Sequence, residues 1–404
     1  MPLTVRAIAF DELPDFYRVD QRGFGVAGLP ERESKAWPEA ELDRTRCAFD
    51  GDEMVGCTRQ YTFELTMPGG TRIPVAAVSA VAVQPTHRRQ GVLTQMIGAL
   101  HDDARERGEI AAVLTASEGA IYGRFGYGIA TWRLGMEAER RAVRFVAPFA
   151  DDGRMRMPEQ AEAEKILPGL YEQAQARAGM VSRPSYWWPS VFWGWSLGEE
   201  KAFFVAVHED ASGTADGYVA YEITGEWNGG LGDRRLLVWD IQSTSRETHA
   251  ALWQFVFGID LVAIVAATNI AVDDPLRLMV ADPRRIRADF VNDGLWVYPL
   301  DPAAFLASRT YSTEGSLVVE VHGPGSDGLR LAVDGGPDGA TAKASTASPD
   351  LTCSVATLGA CGLGGNAWSI MYAAGLVEEN TPGALRRADV MFSTQPAPAM
   401  LSDF

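Results

Sequence analysis

The chain has 404 residues, 47% of them hydrophobic, and a formal net charge of −17 at neutral pH. This length exceeds a single ordinary hydrophobic core, so we expect two or three domains. The negative charge opposes association with nucleic acid, whose phosphates it repels, and suits a cationic ligand, although solubility alone also explains it.

Cysteine spacing and hydropathy exclude further classes of protein. The four cysteines have no Cys-x-x-Cys spacing, and the five histidines do not cluster with them, so we expect no metal site. The N-terminus lacks a charged region followed by a long apolar run, and the most apolar stretch, 255–267, contains Asp260 and is too short to cross a bilayer. These features predict a cytoplasmic protein without membrane contact.

The first third of the chain, from Thr4 to about Arg140, predicts strand, helix, further strands and then strand, helix, strand. Residues 54–57 and 59–66 alternate as two antiparallel strands do, and Met67-Pro68-Gly69-Gly70 supplies the following turn. This order of elements predicts one complete mixed α and β domain.

An apolar strand that ends near Val83 leads through a polar, basic loop into an amphipathic helix that begins after Gly91. The helix is indicated by apolar residues that recur on one face, namely Val92, Met96, Ile97 and Leu100, with Gln95, His101, Asp102 and Arg105 elsewhere. The free N–H groups of a helix start attract anions, so the junction predicts a pyrophosphate site. A solvated basic helix start is the alternative.

The next predicted strand, 110–115, is followed by a loop in which glycines alternate with aromatic residues. It reads Ser117-Glu118-Gly119-Ala120-Ile121-Tyr122-Gly123-Arg124-Phe125-Gly126-Tyr127-Gly128. Tyr122 and Tyr127 are both phenols that stay protonated at neutral pH, as a proton donor must, because the ordinary tyrosine pKa is about 10. Either ring could also simply pack in the core.

The middle third predicts the same order again, with strands at 202–208, 217–224 and 235–242, a helix at 246–257 and a strand at 262–267. Where its strand at 235–242 leads into its helix, the middle third has no glycine and has Glu247 in addition. We therefore expect no second anion site there, and a scaffold role for this region.

The last third begins near Gly294 and predicts a short helix at 303–307. Strands follow at 316–321, 329–333 and 340–345, joined by turns rich in glycine, proline and aspartate.

Two segments together resemble a known family. Arg88-Arg89-Gln90-Gly91-Val92-Leu93 resembles the motif [Q/R]-x-x-G-x-[G/A] of the GCN5-related N-acetyltransferases, with Leu93 in place of the final small residue. With the glycine and aromatic loop, it resembles the Eis (enhanced intracellular survival) family. Members of that family end in an aromatic residue whose carboxylate reaches the active site, and this sequence ends in Phe404.

The resemblance implies an α+β fold with tandem GCN5-related N-acetyltransferase domains, the second degenerate, and a C-terminal sterol-carrier-protein-like α/β domain. The expected limits are 1–144, 145–290 and 291–404. The last domain is expected to be an inert cap that delivers the C-terminus. The alternative is that this domain contains a lipid cavity.

The resemblance also implies an acetyl-CoA-dependent N-acetyltransferase that needs no metal. Its expected substrates are primary amines of polycationic small molecules, with aminoglycosides as the family's acceptors, by direct transfer in a ternary complex. A homo-hexamer is implied as well. The alternatives are acetylation of protein or peptide lysines, and a non-catalytic module that binds CoA or lipid.

The site residues carry over by position in the motifs. Tyr122 is the expected general acid, with Tyr127 as its competitor, and the terminal carboxylate of Phe404 is the expected base or orienting group; an ordinary frayed chain end is the alternative. Acetyl-CoA is expected to bind Val81, Ala82, Val83, Arg88, Arg89, Gln90, Gly91, Val92, Leu93, Thr94, Ser117 and Glu118. The expected amine pocket contains Phe24, Trp37 and Asp403, each of which could instead be structural.

Overall fold

The computed structural model describes residues 3–26, 39–146, 151–193, 202–226, 234–326 and 328–404. The chain divides into two compact units, the first formed by Met1–Thr131, Asp293–Pro398 and Phe404, and the second by Trp132–Asn292 and Ala399–Asp403. Across these described ranges, no helix combines the length and the apolar character needed to cross a membrane.

The strands follow in chain order: β1 (Thr4–Arg6), β2 (Cys47–Asp50), β3 (Glu53–Thr66), β4 (Arg72–Val83), β5 (Ala111–Thr115), β6 (Gly128–Ile129), β7 (Trp132–Glu139), β8 (Arg154–Arg156), β9 (Ala202–Glu209), β10 (Ala215–Thr224), β11 (Arg235–Ser243), β12 (Ile264–Ala271), β13 (Arg287–Asp293), β14 (Leu295–Pro299), β15 (Gly315–His322), β16 (Leu329–Gly336), β17 (Gly339–Ala344), β18 (Leu351–Ser354) and β19 (Val377–Glu379). The α-helices are α1 (Leu13–Phe24), α2 (Val92–Glu106), α3 (Gln160–Ala174), α4 (Arg246–Gly258), α5 (Leu276–Met279), α6 (Pro302–Ala307), α7 (Val355–Gly362), α8 (Trp368–Ala373) and α9 (Ala384–Phe392).

The first unit contains a seven-stranded sheet in the order β1-β2-β3-β4-β5-β14-β6. Its parallel neighbours β4 and β5 are joined through α2, which confirms the predicted strand, helix, strand order. The predicted apolar face of α2 is buried. His101 lies outside the predicted apolar face and is nevertheless only 6% exposed, so burial of this helix extends beyond that face.

The predicted pair of strands at 54–57 and 59–66 is a single long strand, β3. It pairs antiparallel with β4, and the register shifts where Cys57 faces Ala82 and Arg59 faces Ser79. The β4 segment has one residue more than the β3 segment between these pairs, so β4 bulges, and Ala80 has φ +52°. The break predicted near residue 58 thus lies opposite a bulge in β4 and does not divide β3.

The first unit also contains a five-stranded sheet in the order β17-β16-β15-β18-β19, with the predicted hairpins joining β15, β16 and β17. Trp368 and Tyr311 pack edge to face on Phe392 in its core. The buried guanidinium of Arg309 donates to the carbonyl oxygens of Gly362 and Phe392, at 2.6 and 2.9 Å. These bonds hold the ends of α7 and α9.

The second unit contains a seven-stranded sheet in the order β13-β7-β12-β11-β10-β9-β8. Its parallel neighbours β11 and β12 are joined through α4, so the predicted repetition of the first plan is confirmed. The strand that follows β6 in the chain, β7, pairs with β12, whereas β14 pairs with β5 in the first unit. The domain limits 1–144, 145–290 and 291–404 stay predictions.

Candidate active site

An opening between two neighbouring strands forms the centre of the candidate site. Parallel pairing of β4 with β5 runs only from Val75 and Ala111 to Val78 and Leu114, although β4 continues to Val83. The bulge at Ala80 lies directly beyond the last pair. Residues 81–83 therefore lie beyond the paired stretch, where the strand edge is available to a ligand that can use its N–H and C=O groups.

The helix that follows begins without a side-chain cap. Gly91 is the N-cap of α2, with φ +79°, and no side chain accepts from the first helical N–H groups. A Cβ on Gly91 would meet no atom within 4 Å, so the glycine is required by its left-handed backbone and not by a close approach. Uncapped N–H groups and the helix dipole together suit an anion.

The second unit lacks this feature. At the start of α4 the hydroxyl of Ser245 accepts a hydrogen bond of 3.0 Å from the backbone N–H of Thr248. The N–H group that would face an anion is already satisfied there. This agrees with the expectation that the second acetyltransferase domain is degenerate.

The basic residues of the first loop differ in their surroundings. Arg88 donates to the carbonyl oxygen of Gly23, at 3.2 Å, and to that of Val83, at 3.5 Å. Arg89 is exposed and has φ +63°. The side chain of Gln90 donates to the carbonyl of Thr86. The structure brings 88–94 together in one loop and helix turn, and their role as phosphate ligands stays a prediction.

The loop after β5 carries the other expected contacts. Ser117 and Glu118 follow the end of β5 at Thr115 and are both exposed. Tyr122, a few residues later, is only 5% exposed. Its hydroxyl has no hydrogen-bond partner among the described residues. The hydroxyl oxygen is not completely shielded from solvent. Burial raises the pKa of Tyr122 to about 12, with the charge of Glu118 adding to the effect.

Tyr127, the competitor for the acid role, has a different environment. It is buried, and its hydroxyl lies 2.9 Å from Nε2 of His101. Burial, with Arg105 adding, lowers the pKa of His101 to about 3, so the imidazole is neutral. The ring of Tyr298 packs on both residues. Sequence reasoning missed His101, whose only signal was a histidine one residue after a core leucine.

The last two residues belong to different compact units. The ring of Phe404 packs edge to face on Phe63 of β3, with centroids 5.4 Å apart, inside the first unit. In the second unit, Asp403 lies 3.5 Å from Nη1 of Arg133, and its backbone oxygen accepts from the indole of Trp187 at 3.1 Å. The last two residues are therefore packed against the protein, in contrast to a frayed terminus.

The remaining expected pocket residues lie at the N-terminal end of the chain. Phe24 is the last residue of α1 and is 48% exposed. A Cβ on the preceding Gly23 would lie 2.5 Å from the Cβ of Ala82, so this glycine lets α1 approach β4 beside the bulge. Trp37 lies outside the described residues. The roles of Phe24, Trp37 and Asp403 in substrate binding stay predictions.

Metal ligands are not grouped in the described parts of the chain, where no cluster of three or more His, Cys, Asp or Glu residues occurs. The four cysteines are free and buried. The donors that are grouped are backbone N–H groups and arginines. The grouped donors of the first unit thus suit the phosphate oxygens of a ligand.

Comparison with known families and proteins agrees with this geometry. The family of the Acetyltransferase (GNAT) domain matches residues 4–130, and a second family of that description matches 179–297. The Sterol carrier protein domain matches 302–401. A Streptomyces griseus protein described as an uncharacterized N-acetyltransferase is 35% identical and covers 98% of this chain and 99% of its own length.

Two further relatives carry the Eis name. N-acetyltransferase Eis of Mycobacterium tuberculosis is 31% identical over 86% of this chain and 85% of its own length. The crystal structure of Eis1 from Mycobacterium abscessus has a TM-score of 0.89 and 33% identity, covering 99% of this chain and 100% of that one. The protein is an acetyltransferase, and its fold implies the use of acetyl-CoA. The chain belongs to the Eis family of GCN5-related N-acetyltransferases.

Proposed function

We propose that this enzyme transfers the acetyl group of acetyl-CoA directly to a primary amine of a polycationic small molecule of the aminoglycoside class, within a ternary complex. The observation that carries the proposal is the hydroxyl of Tyr122. It belongs to a largely buried ring, has no partner among the described residues and follows the strand that parts from β4. A proton donor to a leaving group needs such an unengaged hydroxyl.

The surroundings of the opening support the placement of acetyl-CoA. In the proposal, the uncapped start of α2 and residues 88–94 hold the pyrophosphate. The backbone of Val81, Ala82 and Val83 contacts the pantetheine arm and donates to the acetyl carbonyl oxygen, which gains negative charge during attack. The exposed Ser117 and Glu118 contact the cofactor further along the loop.

Proton transfer to sulfur is the role proposed for Tyr122. The amine nitrogen bonds to the acetyl carbon, the carbon–sulfur bond breaks, and the phenol gives its proton to the departing thiolate. A pKa of about 12 exceeds that of an ordinary thiol, about 8.5. The same desolvation raises the pKa of a thiol held beside the ring, so the two proton affinities move together.

The terminal carboxylate of Phe404 is proposed to orient the amine and to accept its proton through a water molecule. Direct abstraction is inefficient, because an α-carboxyl group has a pKa of about 3.5 and an alkylammonium one of about 10.4. Packing of the Phe404 ring on Phe63 supports this role, since it limits where the carboxylate can lie.

The acceptor class is proposed from charge and from the family. A formal charge of −17 favours encounter with a polycation. Phe24, Trp37 and Asp403 are proposed to line the amine pocket, and the assembly is proposed to be a homo-hexamer, which light scattering would check.

Product analysis tests the acceptor class. The enzyme would be incubated with acetyl-CoA and one of three amines: an aminoglycoside, a linear polyamine or a lysine peptide. Mass spectrometry should show acetylated aminoglycoside as the main product, and initial rates at varied concentrations of both substrates should give intersecting lines. Preferred acetylation of the peptide would favour the lysine acetyltransferase alternative. Binding of CoA with no product from any amine would favour the non-catalytic module.

A further inference from the structure

The last residues before the chain end are held by one buried arginine of the second unit. The side chain of Arg183 is 2% exposed. Its Nε donates to the hydroxyl of Ser402 at 2.7 Å, and its Nη2 donates to the carbonyl oxygen of Leu401 at 3.0 Å. One guanidinium thus binds two successive residues of the tail.

The other side of the guanidinium is fixed as well. Nη1 of Arg183 donates to Oδ2 of Asp240 at 2.5 Å and to the hydroxyl of Tyr218 at 3.0 Å. Asp240 is in turn satisfied by Tyr218 and Gln242, each at 2.7 Å. The plane of the guanidinium also lies over the ring of Tyr171, 3.7 Å from its centroid. These contacts orient the arginine, because four of the five N–H groups of its planar fork are used.

Further bonds secure the residues on either side. The hydroxyl of Tyr171 donates to the carbonyl of Val181, so at 3.2 Å it accepts from Ser402. The indole of Trp187 donates to the backbone oxygen of Asp403, and the N–H of Ala399 donates to the carbonyl of Ala178. Residues 399–403 are therefore bonded at both ends and in the middle.

We propose that Arg183 is a positioning residue, which binds Leu401 and Ser402 so that the carboxylate of Phe404, two residues beyond Ser402, has a fixed place. The inference rests on the proposed function for the catalytic use of that carboxylate. The anchoring of the tail does not depend on the proposed function, because it follows from the contacts themselves. Arg183 is proposed to act only through the tail and to touch no reacting atom, so its replacement should lower turnover and leave acetyl-CoA binding intact.

The test uses two variants of the full chain and a matched control. Arg183→Lys keeps a cation beside the buried Asp240, and loses the planar fork that reaches Ser402 and Leu401. Ser402→Ala removes the tail side of the bond and leaves the buried ion pair intact. Ser393→Ala is the control, because Ser393 is an exposed serine of the same C-terminal segment that bonds to Ser312 and Val390.

Two readouts separate anchoring from catalysis. Carboxypeptidase should release Phe404 about tenfold faster from both test variants than from the wild type and the control, a factor that one lost hydrogen bond accounts for. With an accepted amine, kcat should fall about tenfold, while KM for acetyl-CoA stays within about twofold. Ser402→Thr, which keeps the hydroxyl, should restore both values.

The outcomes are distinguishable. Release rates equal to the wild type in both variants would overturn the anchor. Faster release with unchanged kcat would overturn the positioning role and leave the enzyme class untouched. If the wild type acetylates no amine, the proposed function fails, and the release rates still decide whether Arg183 holds the tail.

Discussion

At the scale of single residues, most of the buried tyrosines use their hydroxyls in bonds within the protein. Five buried tyrosines have hydrogen-bonded hydroxyls: Tyr127 with His101, Tyr171 with Val181, Tyr218 with Asp240, Tyr298 with Pro324 and Tyr311 with Leu306. A hydroxyl shielded from water and left unpaired costs about 1 to 3 kcal/mol, which is why these five are bonded. The hydroxyl of Tyr122 is not fully buried, so it can stay free for a ligand without that cost. Within the described chain neither Tyr122 nor Tyr221 has a bonded hydroxyl. Of these two, Tyr122 lies in the loop that follows β5, beside the opening between β4 and β5, and Tyr221 lies within β10 of the second unit.

Replacing Tyr122 by phenylalanine should therefore lower kcat by about 10²- to 10⁴-fold, the usual contribution of a general acid. The affinity for CoA should stay within about twofold, because no bond to the cofactor's pyrophosphate is removed. Steady-state kinetics and calorimetric titration with CoA would measure both. Since the pKa of Tyr122 is about 12, the wild type should show no loss of turnover from deprotonation of this residue below about pH 10.

Tyr127→Phe is the matched control for that variant. It leaves His101 without its partner in the core, so stability should fall by about 1 to 3 kcal/mol while turnover is retained. Unchanged kcat in Tyr122→Phe, with a large loss in Tyr127→Phe, would move the acid role to the second tyrosine.

His101 gives a prediction about pH. Its folded pKa of about 3 lies below the unfolded value of 6.5, so the unfolded chain binds a proton that the folded chain rejects. Its contribution to stability is complete above pH 6.5 and falls by about 1.4 kcal/mol for each pH unit as the pH drops toward 3. Thermal melting of the wild type should therefore shift more between about pH 7 and about pH 5 than melting of His101→Gln. Equal shifts would contradict the buried neutral imidazole.

At the scale of elements, the start of α2 carries the anion site. Alanine at Gly91 is strained because φ is +79°, at a cost of about 1 to 2 kcal/mol. Relieving that strain turns the first N–H groups away, so Gly91→Ala should weaken CoA binding about fivefold or more. Titration calorimetry would measure the affinity.

Gly98→Ala in the same helix is the control. This glycine has open space around it and is not among the positive-φ residues, so alanine should raise helix stability by about 0.5 to 1 kcal/mol. CoA affinity should not change. Equal CoA affinity in Gly91→Ala and the wild type would exclude a role for this helix start in binding the cofactor.

Elements with local signals were predictable from the sequence. The periodicity of α2, the turn glycines of the β15–β17 hairpins and the repeated strand, helix, strand order all lie within short windows, and all are confirmed. The bulge at Ala80 was not predicted, because a non-glycine residue with φ +52° is imposed by pairing with β3 and leaves no mark in composition. The burial of His101 was not predicted for a related reason, since it depends on Tyr127 and Tyr298, which are distant in sequence.

At the scale of the whole molecule, strand membership was the least predictable feature. β14 is a continuous apolar run and β7 mixes apolar and charged residues, and neither pattern says which neighbour the strand pairs with. β7 pairs with β12, and β14 pairs with both β5 and β6. Likewise, an apolar last residue indicates a packed chain end, and the sequence does not reveal Phe63 as its partner or Arg183 as the anchor of the preceding residues.

Extension of the chain beyond Phe404 tests the role of its end. A few added residues convert the carboxylate into a peptide bond and should abolish turnover, while an N-terminal tag of the same length should leave it unchanged. Thermal melting would show that both proteins are folded, and thiol release would report activity. Full activity of the C-terminally extended chain would exclude the terminal carboxylate as base or orienting group.

The central claim is that Tyr122 serves an acetyl transfer to aminoglycoside amines. Thiol release from acetyl-CoA, followed with untagged wild type and Tyr122→Phe against aminoglycosides, polyamines and lysine peptides, tests it most directly. Release should be rapid with the wild type, should depend on the aminoglycoside and should be nearly lost in Tyr122→Phe. Silence of the wild type with every aminoglycoside, or release that is the same in both proteins, would contradict it.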